Sequence, residues 1–497
     1  LRAIRRIARI IAQALLALLA LLIVWQAARL VFRPDNNDAL RAADALFAAG
    51  RYHDARLAYA DLLTKRPQLA PALVRQGIVA TIRGERAAAD QALSAALGAR
   101  LSQPEYDLVR LYQGQLAASG GDPNLAEQYW QMIDPAAGLA GRRRVLEAEQ
   151  LLYRADYAGA EASYRAALGL DLPRDWRALA HTRLALLRAS SDSAAALAEL
   201  AKIDALAPAP AAGPIDWAAP LLPLASPDAG QLAAALHAPP DARPQLLGQL
   251  YLAGRLYALA EAQFAAVSPN SPSARAAAAY AAYTRWSAGD RAEGLRRLQA
   301  LVDRDPAEPR ARALLALAYL TNRDDASARA QLEAIRDLAP RAPDTQLAWG
   351  QWYAAQHDYV AAADAFQRAL SAAPPDQRGG YALALARFTV DTTFQVCDAG
   401  RAAAEQAIAA LPDDAHAWTT AAATRLSCGD AAGAQSAAAR ALRQAPASPE
   451  ASYYLGRALA ALGQRQAARA ALINAADLAP SSPWRERAEA QIAILGL

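Results

Sequence analysis

The chain has 497 residues, far more than one compact core needs, and 54% of them are apolar, with alanine the main contributor. The formal charge of +4 is supplied in full by Arg2, Arg5, Arg6 and Arg9, so residues 10–497 sum to about zero and the basic balance gives no argument for nucleic acid. No phosphate-cradling glycine loop, nucleophile elbow or dinucleotide fingerprint is present, and no histidine pairs with another histidine or a cysteine at metal-ligand spacing.

In chain order, residues 1–9 read as a basic cytoplasmic tail. Residues 10–28 carry no charge; nineteen helical residues rise about 28 Å, close to the roughly 30 Å of bilayer hydrocarbon. They are the expected transmembrane helix, with Trp25 near one interface. Four arginines precede the stretch, and only Arg29 and Arg33 follow it closely. That bias keeps the N-terminus in the cytoplasm and places the rest outside. A cleaved signal peptide and an inverted anchor are the competing readings; Gln26-Ala27-Ala28 makes a poor cleavage site. The run Asp35-Asn36-Asn37-Asp38 is too short for a calcium loop and is expected to cap the first helix beyond the anchor.

Residues 36–205 show helix pairs at a period near thirty-four. Gly50, Ala55, Tyr59 and Pro67 mark one unit. Gly77, Gly84, Ala89 and Leu93 mark the next, followed by Gly114, Gly121, Ala126 and Trp130. Leu151, Tyr157, Ala160, Tyr164 and Ala167 mark a fourth, and a degenerate fifth starts near Pro173 with Trp176. Residues 206–240 break the pattern. From Pro208 to Pro240 they are too rich in proline for long helices, apart from a short one near 228–237. They read as a joint or a divergent unit.

The period is cleanest in residues 241–482. Pro272, Pro306, Pro340 and Pro374 are each 34 apart, and so are Pro412, Pro446 and Pro480 after a four-residue slip. Each proline closes a second helix, since it lacks an N–H and clashes with the preceding turn. Gly289, Gly429 and Gly463 fall at turns. The acidic pairs Asp324-Asp325 and Asp413-Asp414 fall at turns or helix starts, where carboxylates favour the helix dipole. Cys397 and Cys428 sit at the turn edge of neighbouring units and are candidates for a disulfide if the array is extracytoplasmic. His53 and His357 read as solvated turn residues. Residues 483–497 are expected to form a capping helix, with Arg485, Glu486, Arg487 and Glu489 in solvent.

The unit ending at Pro374 reads Trp349-Gly350, Tyr353, Ala362, Phe366 and Ala369; the one ending at Pro272 reads Leu247-Gly248, Tyr251, Ala260 and Phe264. These spacings resemble the tetratricopeptide repeat (TPR). The resemblance implies an all-α helix–turn–helix superhelix of roughly twelve repeats, and a binding scaffold rather than an enzyme, with no cofactor and no metal. It also implies that first helices line a groove. By register, that groove would hold Gln249, Leu252, Tyr283, Trp286, Leu317, Leu320, Leu347 and Gln351, with Tyr453 and Arg457 from the last unit. This lining is neutral, apolar and aromatic, and it lacks the lysine clamp with which some TPR co-chaperones grip acidic tails.

The expected partners are proteins of a membrane or envelope complex, together with the bilayer through residues 10–28. No nucleic acid and no small-molecule substrate are expected. The architecture is similar to anchored bacterial periplasmic TPR proteins that assist secretion, chaperoning or cytochrome maturation. The alternative is a cytoplasmic-facing TPR adaptor regulating envelope-synthesis enzymes.

Overall fold

The computed structural model describes residues 36–49, 51–136, 138–206, 214–223, 229–306, 308–375, 377–445, 448–478 and 483–496. The expected tail and span at 1–28, Asp35, Gly50, Pro446 and Pro480 lie outside the described residues, as does part of the proline-rich stretch. Among the described residues no helix is long and apolar enough to cross a membrane.

Alanine, the best helix former, is the commonest residue of the chain, and the described residues contain helices and no strand. Among the described residues twelve hairpins follow one another. The first five pair Asn36–Ala48 with Tyr52–Lys65, Ala70–Ile82 with Arg86–Leu97, Gln103–Ser119 with Pro123–Gln131, Ala140–Tyr153 with Tyr157–Leu168, and Arg174–Arg188 with Ser193–Asp204. A short 3₁₀ turn, Ala219–Leu221, and the single helix Ala229–His237 intervene. Hairpins six to nine pair Arg243–Ala253 with Tyr257–Ala265, Ala274–Ser287 with Arg291–Arg304, Pro309–Thr321 with Asp325–Leu338, and Pro343–Ala355 with Tyr359–Ala372. The last three pair Arg378–Thr392 with Arg401–Ala410, Ala415–Ser427 with Ala431–Gln444, and Pro449–Ala461 with Arg465–Leu478. Pro483–Leu495 closes the stack.

In six of the hairpins the inner turn has one chemistry. A residue in the left-handed region ends the first helix, and an aspartate then caps the second. Gly121, Gly289 and Gly429 take φ of +83°, +105° and +81°, while Ala155, Arg323 and His357 accept the same region near +60°. The next residue is Asp122, Asp290, Asp430, Asp156, Asp324 or Asp358, and each carboxylate accepts from the backbone N–H three residues on. The four-residue slip in the period is absorbed in hairpin ten. There Thr393 and Gln395 are left-handed and a π-helical turn, Val396–Gly400, precedes the second helix.

The two helices of a hairpin cross where a glycine faces a bulky residue sixteen positions later. A Cβ at Gly248 would come within 2.6 Å of the Phe264 ring, one at Gly456 within 2.7 Å of Leu472, and one at Gly77 within 2.6 Å of Leu93. The same ring then reaches the next hairpin. Phe264 stacks on Tyr280 at 5.4 Å and Phe366 on Phe388 at 4.9 Å. Burial is therefore shared between neighbours, and the core is a ribbon. One cluster runs from Ala43 to Ala277, two smaller ones follow, and a fourth runs from Ala362 to Ala488.

Gly294 is the tightest of these contacts against main chain, since an added Cβ would lie 2.5 Å from the Trp286 nitrogen. Backbone cannot swing aside, so Gly294→Ala is expected to destabilise by about 1–3 kcal/mol. Gly380, also helical, meets nothing within 4 Å, and Gly380→Ala should be neutral or stabilising by up to about 1 kcal/mol. Thermal melts of the two variants check the pair; equal losses would contradict the crossing argument.

The array bends far enough for its ends to meet. The second helix of hairpin one, Tyr52–Lys65, packs against the second helix of hairpin twelve, Arg465–Leu478. Arg83 forms a buried ion pair with Asp477, and Arg469 lies 3.4 Å from Asp54.

Candidate functional site

In a curved stack the helices on the inside crowd together. First helices of successive hairpins pack on one another, as Ala274–Ser287 does on Pro309–Thr321 and Ala415–Ser427 on Pro449–Ala461, whereas successive second helices barely touch. The first helices therefore form the inner face, packed on one another from hairpin two to five, from six to nine and from ten to twelve.

In the C-terminal half, the groove residues expected from register all lie on first helices. Leu252, Tyr283, Leu317, Leu320, Leu347 and Arg457 are partly exposed and Gln351 is exposed. Gln249 lines a shallow cleft of about 360 Å³ with Gln231, Ala234 and Leu246. Trp286 and Tyr453 depart from the expectation: they are only 7% and 8% exposed. Trp286 has Gly294 against its backbone, Tyr283 stacked at 5.2 Å and Arg291 over its ring. Tyr453 is enclosed by Tyr454 and by Trp484 of the capping helix. The register locates the helix but not which side of an aromatic ring stays open, so both residues belong to packing.

The inner face of the N-terminal half is occupied by the chain itself. Residues 214–223, from within the proline-rich stretch, lie against four first helices. Trp217 packs on Phe47 of hairpin one at 4.6 Å, and the Arg75 guanidinium of hairpin two lies 4.8 Å from its ring centre. The Tyr112 hydroxyl of hairpin three donates to the Trp217 carbonyl at 2.7 Å, and Arg142 of hairpin four holds Asp216 at 2.8 Å. Burial, and the nearby charge of Asp216, push the Tyr112 phenol well above its usual pKa, so it stays a donor. Ala218 and Leu221 are buried in the same cluster. Nothing in the sequence reading pointed to this contact. The one available signal was an Asp-Trp dipeptide among prolines where no helix could form.

Beneath this face lies a buried polar network. Glu149 takes a two-pronged contact from Arg183, at 2.8 and 3.0 Å, and the Tyr164 hydroxyl at 2.5 Å. In the next hairpin Glu199 accepts from Arg188 at 2.6 Å and Lys202 at 2.9 Å, and lies 2.8 Å from His181 Nδ1. Burial opposes the charge on Glu199, yet its hydrogen bonds from Lys202 and His181 hold its carboxyl below the usual range. His181 is thus tied into structure, and no group of metal-ligating side chains gathers among the described residues.

Cys397, in the π-helical turn of hairpin ten, and Cys428, ending the first helix of hairpin eleven, have joined sulfurs and Cα atoms 5.3 Å apart. The link clips the two hairpins where the period slips.

Residues 280–343 and 420–483 match the tetratricopeptide repeat family model. No curated protein matches the chain. Among solved structures, YrrB, a TPR protein with an unusual peptide-binding site, is 19% identical over 39% of this chain and 97% of its own, with a TM-score of 0.33. PilW, a type IV pilus biogenesis factor, is 15% identical over 45% of this chain and 100% of its own, with a TM-score of 0.38. Pseudomonas aeruginosa pilF is 15% identical over 44% and 97%, again with a TM-score of 0.38. Likenesses this distant carry no argument about partner or role.

Proposed function

We propose that this repeat scaffold is tethered to a membrane through residues 10–28, projects its array on the extracytoplasmic side, and captures a partner protein on the inner face of its C-terminal half, in an assembly, stabilising or chaperone-like role. The observation that carries the reading is the row of first helices packed on one another from hairpin six to hairpin nine, which offers Leu317, Leu320, Leu347 and Gln351 on rigid elements at repeating intervals. Rows of this kind present several weak contacts in register, which suits an extended or helical segment of another protein better than a small molecule. The uncharged run at 10–28 and the arginine bias around it support the tether and its direction. The linked Cys397 and Cys428 support an oxidising compartment.

Photo-crosslinking residues placed at Leu317 and at Leu320 in native membranes should give one shared adduct. The same group at Val360, which is 68% exposed on a second helix, should not give it. Equal labelling from the inner and outer positions would overturn capture on the inner face. A reporter fused after Leu497 that is active only in the cytoplasm would overturn the topology.

A further inference from the structure

The Asp216-Trp217 dipeptide touches first helices from four different hairpins, and each contact is of a different kind. Arg142 supplies an ion pair to the carboxylate, Tyr112 a hydrogen bond to the main-chain carbonyl, Arg75 a cation over the indole, and Phe47 an apolar wall. A segment that only filled space would need apolar contact alone. This set reads a side-chain charge, an indole and a backbone group at once, as peptide sites do, with tryptophan and arginine as the usual anchors. The segment is also not helical outside its short 3₁₀ turn, so it meets the array as a separate strap and adds no repeat to it.

We infer that the inner face of hairpins one to four is a second docking site, specific for an unpaired protein segment carrying an acidic residue followed by tryptophan among apolar residues, and that residues 214–223 occupy it in cis. A partner bearing this chemistry competes with the strap. Because the strap is covalently attached, its effective concentration is of millimolar order, so a free segment succeeds only when the strap is released or the partner adds contacts elsewhere. The inner face of the C-terminal half supplies such contacts, and two-point engagement would then reserve the N-terminal site for a partner already held. This inference rests on the scaffold reading only in taking protein segments as ligands. Its failure would leave the crosslinking result at Leu317 and Leu320 untouched.

The test uses the full chain with residues 214–223 replaced by a Gly-Ser stretch of equal length, and a fluorescein-labelled peptide of residues 214–223 followed by anisotropy. The strap-free chain is expected to bind the peptide saturably and the wild-type chain at least tenfold more weakly. Peptides with Asp216→Asn or Trp217→Ala should lose at least fivefold, and adding Arg142→Ala to the strap-free chain should weaken the wild-type peptide but not the Asp216→Asn peptide. A strap-free chain that keeps its helical signal and melting profile but binds no peptide overturns the inference. So does equal binding by wild-type and strap-free chains. If the replacement unfolds the N-terminal half, the single variant Trp217→Ala is measured instead; loss of the fold there too would make the strap a piece of core and overturn the inference as well.

Discussion

Glu149→Ala is expected to destabilise hairpins four and five by about 3–5 kcal/mol. Glu149 sits on the first helix of hairpin four, Tyr164 on its second helix, and Arg183 on the first helix of hairpin five. The carboxylate therefore ties together three helices across a repeat boundary. Arg183 is 1% exposed, so its guanidinium has no route to water once the carboxylate is gone. Burial alone would weaken the charge on Arg183, yet the Glu149 carboxylate lifts its pKa above the usual value, which shows how closely the pair is matched. The loss combines a buried cation that no longer faces the Glu149 carboxylate with a phenol, Tyr164, that loses its acceptor.

Glu149→Gln keeps the shape and one acceptor oxygen and should cost less than half as much. The double variant Glu149→Leu, Arg183→Met should recover most of the loss, because replacing both members of a buried pair removes the desolvation penalty together with the attraction. Hydrogen exchange read hairpin by hairpin is the proper measurement, since an array of this kind opens locally before it unfolds as a whole. A change in protection of less than about 1 kcal/mol in Glu149→Ala would mean that water reaches Arg183 after all.

Arg83→Ala is expected to part the two ends of the array at neutral pH. Arg83 and Asp477 are 6% and 2% exposed, and their ion pair joins hairpin two to hairpin twelve. The pair is lopsided. Burial works against the charge on Arg83, but Glu85 and Asp477 together raise its pKa above the usual value. For Asp477 burial wins: although Arg83 and Arg485 draw its pKa down, it is pushed up to about 6, with Glu85 adding slightly. One of its oxygens, Oδ2, has no hydrogen-bond partner, which gives the physical reason.

A carboxyl whose pKa is raised in the closed form takes up a proton on closing. Its contribution to closure is complete below its ordinary value of 3.8 and is lost as pH rises through about 6. At pH 7.5 closure thus depends on Arg83, and removing Arg83 leaves a buried carboxylate without its ion-pair partner and with only the weaker pull of Arg485, a loss of about 3–5 kcal/mol. At pH 5 the same variant carries a protonated Asp477, and its ends should close again in large part. Asp477→Asn, a neutral mimic, should stay closed at both pH values. Distances between labels on hairpins one and twelve, or the radius of gyration in solution, report the outcome. An Arg83→Ala chain as compact as wild type at pH 7.5 would show that the weaker contact of Arg469 with Asp54 suffices.

These two sites show how unevenly the sequence displays its contents. Glu149, Tyr164 and Arg183 fall within thirty-five positions of one another, and the tyrosine stands at a regular repeat position, yet the charged pair itself left no periodic trace. Arg83 and Asp477 are separated by 394 positions, and neither stands out among its neighbours. The groove residues illustrate a middle case. Register placed all of them on first helices, but Trp286 and Tyr453 turned out to be enclosed, because a large ring at the edge of a helix face finds cover from a neighbouring glycine or a capping helix that no spacing rule foresees.

The hairpin, its length and its turn were set by the sequence alone: a glycine facing a bulky residue sixteen positions on, a left-handed turn residue, an aspartate cap and a closing proline all act within one or two units, where neighbour contacts decide the energy. Tertiary structure decided what depends on the summed curvature of many units. The seating of Asp216-Trp217 on four first helices and the meeting of hairpins one and twelve arise from small rotations accumulated along the stack. A rotation too small to mark any single repeat still determines which distant side chains come within reach.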